Sequence, residues 1–193
     1  MCPDSKRPRV KSSKDPVMLL CKVQFGIATE SSMDKWETYQ YLTNRGIKYE
    51  VTEHQAVFNM AELDAVDLPY PEADAKNLFV RDDKKRNYYL ITVKGDKRVN
   101  LKEFRRLNGL RPLSFASSDD LMTIMGLTAG AVTPLGLLND SENKVKLYLD
   151  SSFGDGLIGV HPNDNTATVW MKACDLVRIV REAGNDVELV AIE

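Results

Sequence analysis

Cysteine is scarce in this 193-residue chain: three residues, Cys2, Cys21 and Cys174, lie far apart with no CxxC pair. An odd, scattered set argues against a disulfide framework and a cysteine-based zinc site, and suits a reducing compartment. Cys174 sits in an apolar-periodic segment and is expected to be a small core residue. Histidine is scarcer, with only His54 and His161, too few to build a zinc centre without cysteine. Long apolar runs are also missing. MLLCKVQFGI is interrupted by Lys22 and Gln24, falls short of the ~20 residues that span a bilayer, and lacks the cleavage site of a secretory signal. A cytoplasmic protein is the expectation. The patterns GxxxxGK[ST], GxGxxG, HExxH and GxSxG are absent, so the usual signatures of nucleotide binding, zinc peptidase and serine hydrolase chemistry are missing. An enzyme with so few strong chemical groups would depend on positioning and polarisation more than on a potent nucleophile, and no cofactor is expected.

What is present fits one soluble domain. Hydrophobic residues make up 43% and charged residues 28%, ordinary proportions for a globular chain of this length. Residues 1–30 carry five basic residues in the first fourteen and are expected to form an N-terminal extension, with the domain running over 31–193. Ser31 or Ser32 is expected to cap a helix with an apolar face of Trp36, Tyr39 and Leu42, ended by Gly46. IKYEVTEH alternates as a strand, and NMAELDAVDLP predicts a second helix stopped by Pro69. NLFVRD and YYLITV around the charged stretch 82–86 predict a hairpin. LKEFRRLNGL and SSDDLMTIMGL read as short helices closed by Gly109 and Gly126. KVKLYLDSSF, GLIGV and TATVWM read as strands, followed by ACDLVRIVREAG as a helix with Leu176, Ile179 and Val180 on one face, and DVELVAIE as a last strand. Hairpins interspersed with helices predict a mixed α/β (α+β) architecture and not a regular βαβ array.

The net charge of −2 conceals an uneven distribution. Residues 76–111 contain twelve basic and four acidic side chains, giving +8 there and −10 elsewhere. A basic region on an acidic body is the footprint expected for a phosphate backbone, although charge runs are also common on solvated faces. Arg81, Lys84, Lys85, Arg86, Lys97 and Arg98 are the candidate contacts to nucleic acid. The small-residue stretch Gly130, Ala131, Val132, Thr133, Pro134 can bring backbone close to a ligand, or simply connect a helix to a strand. His54 and His161 could pair as acid and base, though isolated histidines are more often structural.

Six blocks in order, EHQAVFN (53–59), AKNLFVRD (75–82), YYLITVKGDKRVNLK (88–102), LSFAS (113–117), GLTAGAVTPLGLLND (126–140) and HPNDNTATV (161–169), resemble the YbaK-like, prolyl-tRNA synthetase-associated editing domains, with greatest similarity to the free-standing alanyl-tRNA(Pro) deacylases. The resemblance covers roughly residues 33–192. It implies the editing-domain fold, a curled mixed sheet with surrounding helices, and hydrolysis of the ester joining a wrong amino acid to tRNA(Pro). Alanine is the amino acid implied for this branch, with a Cys-tRNA(Pro) deacylase or a non-catalytic tRNA-binding homologue as the alternatives. The implied partners are the tRNA(Pro) acceptor stem and prolyl-tRNA synthetase.

Carried over by position, the resemblance implies Lys76 as the required lysine and Asn77 as its polar neighbour. Gly130, Ala131, Val132, Thr133 and Pro134 form the GxxxP substrate loop, with Gly130 and Thr133 placed among the catalytic positions. His161 stands in the HP position, with Asn165 and Thr166 beside it. His54, Val57, Phe58 and Met60 line the amino-acid pocket. Two departures are visible: EHQAVF lacks the proline pair frequent after the histidine, and Leu135 stands where phenylalanine is common. Because missing methylenes are worth only ~1–3 kcal/mol, a synthetase for proline needs a second hydrolytic sieve against smaller amino acids.

Overall fold

The structure, a computed structural model, describes residues 32–56 and 68–192. In chain order the elements are α1 (Lys35–Asn44), β1 (Tyr49–Glu53), β2 (Ala75–Asp82), β3 (Tyr88–Lys94), α2 (Leu101–Leu107), β4 (Leu113–Phe115), α3 (Ser118–Met125), β5 (Val145–Asp150), β6 (Leu157–Val160), β7 (Ala167–Lys172), α4 (Ala173–Ala183) and β8 (Val187–Val190). Short 3-10 turns occupy Pro71–Ala73, Pro134–Asn139 and Ser151–Phe153. The expected mixed α/β class is the one observed. The helix expected over 59–69 lies outside the described residues except for Leu68 and Pro69, which are not helical.

Local signals explain most boundaries. α1 is capped by Asp34, whose carboxylate accepts from the Glu37 amide while Glu37 reaches back to the Asp34 N–H. This reciprocal box lies two residues beyond Ser32, the later of the two expected caps: Lys35, three positions after Ser32, cannot return the bond, whereas Glu37, three positions after Asp34, does. The expected apolar face of α1 is also corrected. Leu42 is buried, but Trp36 is 69% exposed and the other buried position is Thr38. α3 starts on the Ser117–Asp120 box and stops at Gly126, whose φ of 65° is left-handed; a Cβ there would also lie 2.1 Å from that of Ser32. α4 buries Leu176, Ile179 and Val180 as expected. Cys174 is exposed, not buried, because the stripe facing the core runs through 173, 176, 177 and 180 and position 174 falls to one side of it.

Two sheets result. The larger has the order β4-β2-β3-β5-β8, and the smaller β1-β7-β6. β2 and β3 form the expected antiparallel hairpin, with Asn77 opposite Thr92 and Phe79 opposite Leu90. Asp82 ties its turn by accepting from the amides of Lys84 and Arg86. β5 joins β3 in parallel, and β8 joins β5 likewise.

Alternation along the hairpin feeds two separate cores. Phe79 and Leu90 point into a large core shared with Leu135, Val160, Val169 and α4. Leu78, Val80, Tyr89, Ile91 and Val93 point the other way, against Phe104, Tyr148 and Ile192. The two sheets meet at an isolated parallel bridge between Asp74 and Gly159. Glycine is needed there: a Cβ at Gly159 would fall 2.3 Å from the Trp170 ring.

Candidate active site

The site lies where these sheets meet, and three loops of small and polar residues converge on it. Asn77, on β2, donates from Nδ2 to the Val132 carbonyl at 3.1 Å. Thr133, fully buried, donates its hydroxyl to the His161 carbonyl at 2.7 Å. The same hydroxyl oxygen accepts from the Leu135 amide and caps the 3-10 turn beginning at Pro134. The loop 130–134 is thereby pinned between the larger sheet and the segment that follows β6. Gly130 takes a φ of 93°, a left-handed conformation that favours glycine. Among the described residues, the N–H groups of Gly130, Val132 and Thr133 have no protein acceptor.

His161 and His54 sit side by side, ring centroids 6.1 Å apart. The Ala167 carbonyl lies 3.0 Å from His161 Nδ1. A carbonyl only accepts, so Nδ1 carries the proton and Nε2 of the neutral ring presents a lone pair. Burial, reinforced by the neighbouring His54, holds the His161 imidazole below its ordinary value, although the bond to Ala167 pulls the other way. His54 is committed on both nitrogens: Nδ1 donates to the Gln55 carbonyl at 2.8 Å, and Nε2 lies 3.1 Å from the Thr168 hydroxyl.

The segment after His161 is braced from α1. Asp164 accepts from the Thr166 amide at 2.8 Å and from its hydroxyl. Lys35 donates to Thr166 Oγ1 at 3.0 Å and pairs with Glu53. Burial alone would raise the Asp164 carboxyl, but the Thr166 bonds and the Lys35 charge outweigh it and hold it low. Asn163, at φ 61°, donates to the Met33 carbonyl and to Thr38. Thr166 is thus engaged in holding the loop, and its carbonyl also accepts from the His54 amide.

Lys76 is placed differently. Register pairs it with Val93, on the strand face opposite Asn77, and its ammonium donates to the carbonyls of Gly95 and Lys97. The structure therefore brings together Asn77, the 130–134 loop, His54 and His161, with Thr166 bracing them, and gives Lys76 different neighbours. Val57, Phe58 and Met60 lie outside the described residues.

Of the basic candidates, Lys84, Lys85, Arg86 and Arg98 are exposed. Arg81 is turned in to Asp120, and Lys97 to Asp150 and the Ile192 carbonyl. The exposed turn of the hairpin is about 17 Å from Asn77 along an extended strand. Sequence reasoning missed Thr92, Thr168, Lys35 and Asp164. Thr92 carried a usable signal, being the lone polar residue inside YYLITV, directly across the predicted hairpin from Asn77. Among the described residues no cluster of three or more His, Cys, Asp or Glu side chains could hold a metal ion, and no helix is long and apolar enough to cross a membrane.

A neutral imidazole, unpaired loop amides and a pinned backbone, with no serine or cysteine nucleophile among them, suit the hydrolysis of an already activated ester. Comparison with known proteins agrees. The model of the aminoacyl-tRNA editing domain matches residues 54–179. The prolyl-tRNA editing protein ProX of Acetoanaerobium sticklandii is 38% identical over 147 residues, covering 76% of this chain and 90% of that protein. Prolyl-tRNA synthetase associated domain-containing protein 1 of Mus musculus is 34% identical over 159 residues, covering 78% and 91%. A solved structure described as a proposed trans-editing enzyme for prolyl tRNA synthetase shares the fold, with a TM-score of 0.60 at 20% identity over 82% of this chain and 96% of that one. The chain belongs to the aminoacyl-tRNA editing domain family. By class it is an aminoacyl-tRNA deacylase, in keeping with the six sequence blocks.

Proposed function

We propose that this protein acts in trans on mischarged tRNA(Pro) and hydrolyses its aminoacyl ester, with alanine as the amino acid removed. The observation that carries this reading is the loop 130–134, tied to Asn77 on one side and to His161 on the other, with unpaired N–H groups beside a neutral imidazole. Similarity to the prolyl-tRNA editing protein ProX supports the choice of tRNA. Residues 31–193 form the editing unit in this reading, and 1–30 an extension.

Water adds to the ester carbonyl, and negative charge develops on its oxygen. Loop N–H groups hold that oxyanion, which is the largest stabilising contribution a site without a nucleophile can make. Collapse of the tetrahedral species breaks the bond to the ribose oxygen, which takes up the proton given up by the attacking water, and releases the free amino acid and a ribose hydroxyl. His161 Nε2 accepts a hydrogen bond from the attacking water and orients it. Lys76 holds a phosphate or the terminal ribose of the acceptor end, which requires its ammonium to leave the Gly95 and Lys97 carbonyls when tRNA binds. His54, Val57, Phe58 and Met60 line the amino-acid pocket, with Asn165 and Thr166 beside the ester. Lys84, Lys85, Arg86 and Arg98 contact the acceptor stem.

Incubation with Ala-, Cys- and Pro-tRNA(Pro) tests the proposal. Rapid release of alanine with Pro-tRNA(Pro) spared is the expected result. Preferential release of cysteine would replace the substrate, and release of none would overturn the reading in favour of a tRNA-binding protein.

A further inference from the structure

We propose that Thr92 is a positioning residue for the deacylation site, acting through Asn77 on the peptide between Val132 and Thr133; this rests on the reading of the 130–134 loop given above. Thr92 is fully buried, and its hydroxyl lies 2.8 Å from Asn77 Oδ1. The direction of each bond follows from chemistry. The Val132 carbonyl only accepts, so the amide nitrogen of Asn77 must face it. That leaves Oδ1 toward Thr92, whose hydroxyl must donate. Without that donor Asn77 Oδ1 loses its partner, and the bond to Val132 alone is left to hold the amide in place.

The consequence reaches the reacting atoms through peptide geometry. No peptide bond among the described residues is cis, so the Val132 carbonyl and the Thr133 N–H point in opposite directions. Holding the carbonyl on Asn77 fixes the plane of this peptide. Thr133 is fully buried, so the donors that face a substrate are the N–H groups of Gly130 and Val132, both half-buried and without a protein acceptor among the described residues, on the stretch of loop that this bond steers. A residue in the second strand of the hairpin thus aims an oxyanion donor on a distant loop. The other end of that peptide is held independently by the bond from Thr133 Oγ1 to the His161 carbonyl, so losing Thr92 frees its orientation without releasing the loop.

The experiment uses the full chain and Ala-tRNA(Pro). Thr92→Val keeps the shape and removes the hydroxyl, whereas Thr92→Ser keeps the hydroxyl. Thr92→Val is expected to lower kcat by roughly tenfold to a hundredfold, the scale set by small misplacements of reacting groups, with KM for the tRNA unchanged. Its Thr133 backbone and Asn77 side-chain amide resonances should shift in 15N NMR spectra. Thr92→Ser is expected to recover most of the lost kcat. Asn77→Asp, which cannot donate to Val132 and leaves the buried Thr92 intact, should reproduce the kcat loss and supplies the test if Thr92→Val does not fold. Wild-type kcat in Thr92→Val or Asn77→Asp overturns the inference, as does a loss in Thr92→Ser as deep as in Thr92→Val. A kcat unchanged by loop substitution at Thr133 as well would instead sink the site reading itself.

Discussion

Lys76 and Asn77 are neighbours in sequence and belong to different parts of the protein. Asn77 faces the large core and reaches the loop that closes the site, whereas Lys76 shares the other face with Val93 and rests on carbonyls of the following turn. A motif such as AKN reads as one functional unit, yet a strand separates successive side chains by its own thickness. The two residues should therefore fail in different ways: one by misplacing an oxyanion donor, the other by loosening the grip on tRNA.

The largest expected effect is that of Lys76→Ala, which should abolish detectable deacylation of Ala-tRNA(Pro) while leaving the melting temperature close to wild type. Full activity in that variant would remove the lysine from the site and leave the Asn77 face to act alone. Thr133→Val comes next. It strips the buried donor from the His161 carbonyl at a cost of about 1–3 kcal/mol, and a fall in both kcat and Tm is the expected outcome of kinetic and thermal measurements. A third contrast is in pH.

Because the folded protein holds His161 below its ordinary value of ~6.5, the unfolded chain takes up that proton first as pH falls. Stability unaffected above that range is therefore lost below it. Asp164, held low, contributes stability that is present above its ordinary value and lost at more acid pH. The acid limb of kcat should have a midpoint below ~6.5, and His161→Gln should flatten it; an unchanged limb would assign it elsewhere. The smallest effects belong to the hairpin turn. Reversing Lys84, Lys85 and Arg86 should reduce the salt slope of tRNA binding by about 0.7–0.9 per lost phosphate contact, measured by titration in increasing salt. Arg81→Ala, which breaks an internal pair with Asp120, should alter stability more than that slope.

The elements were legible because each carries a local cause. The hairpin showed in its charged turn, α3 in its capping residues and terminal glycine, and α4 in its apolar stripe. α1 was read less well, since Trp36 fits a helical period but lies on a side that no other element among the described residues covers. Cys174 misled for a similar reason: apolar character gives membership of a helix, not its rotation. For the site, the loop and both histidines were visible as residue types, whereas their union depends on β2 and the β6–β7 connection meeting across two sheets. The separation of Lys76 from Asn77 follows from strand alternation and could be read in advance. What Lys76 touches could not, because Gly95 and Lys97 approach it only through the hairpin's end.

The bridge between Asp74 and Gly159 has a consequence for heat. His54 and His161 border the smaller sheet, and Asn77 stands in the larger, so parting the sheets at this seam would separate the residues proposed to act in deacylation while each sheet kept its own ladder. Local openings as a class range from near zero up to the free energy of global unfolding, and we expect this one to fall below that limit. Deacylation should accordingly fade on warming before the main melting transition, with amides near Gly159 exchanging ahead of those in β3 and β5.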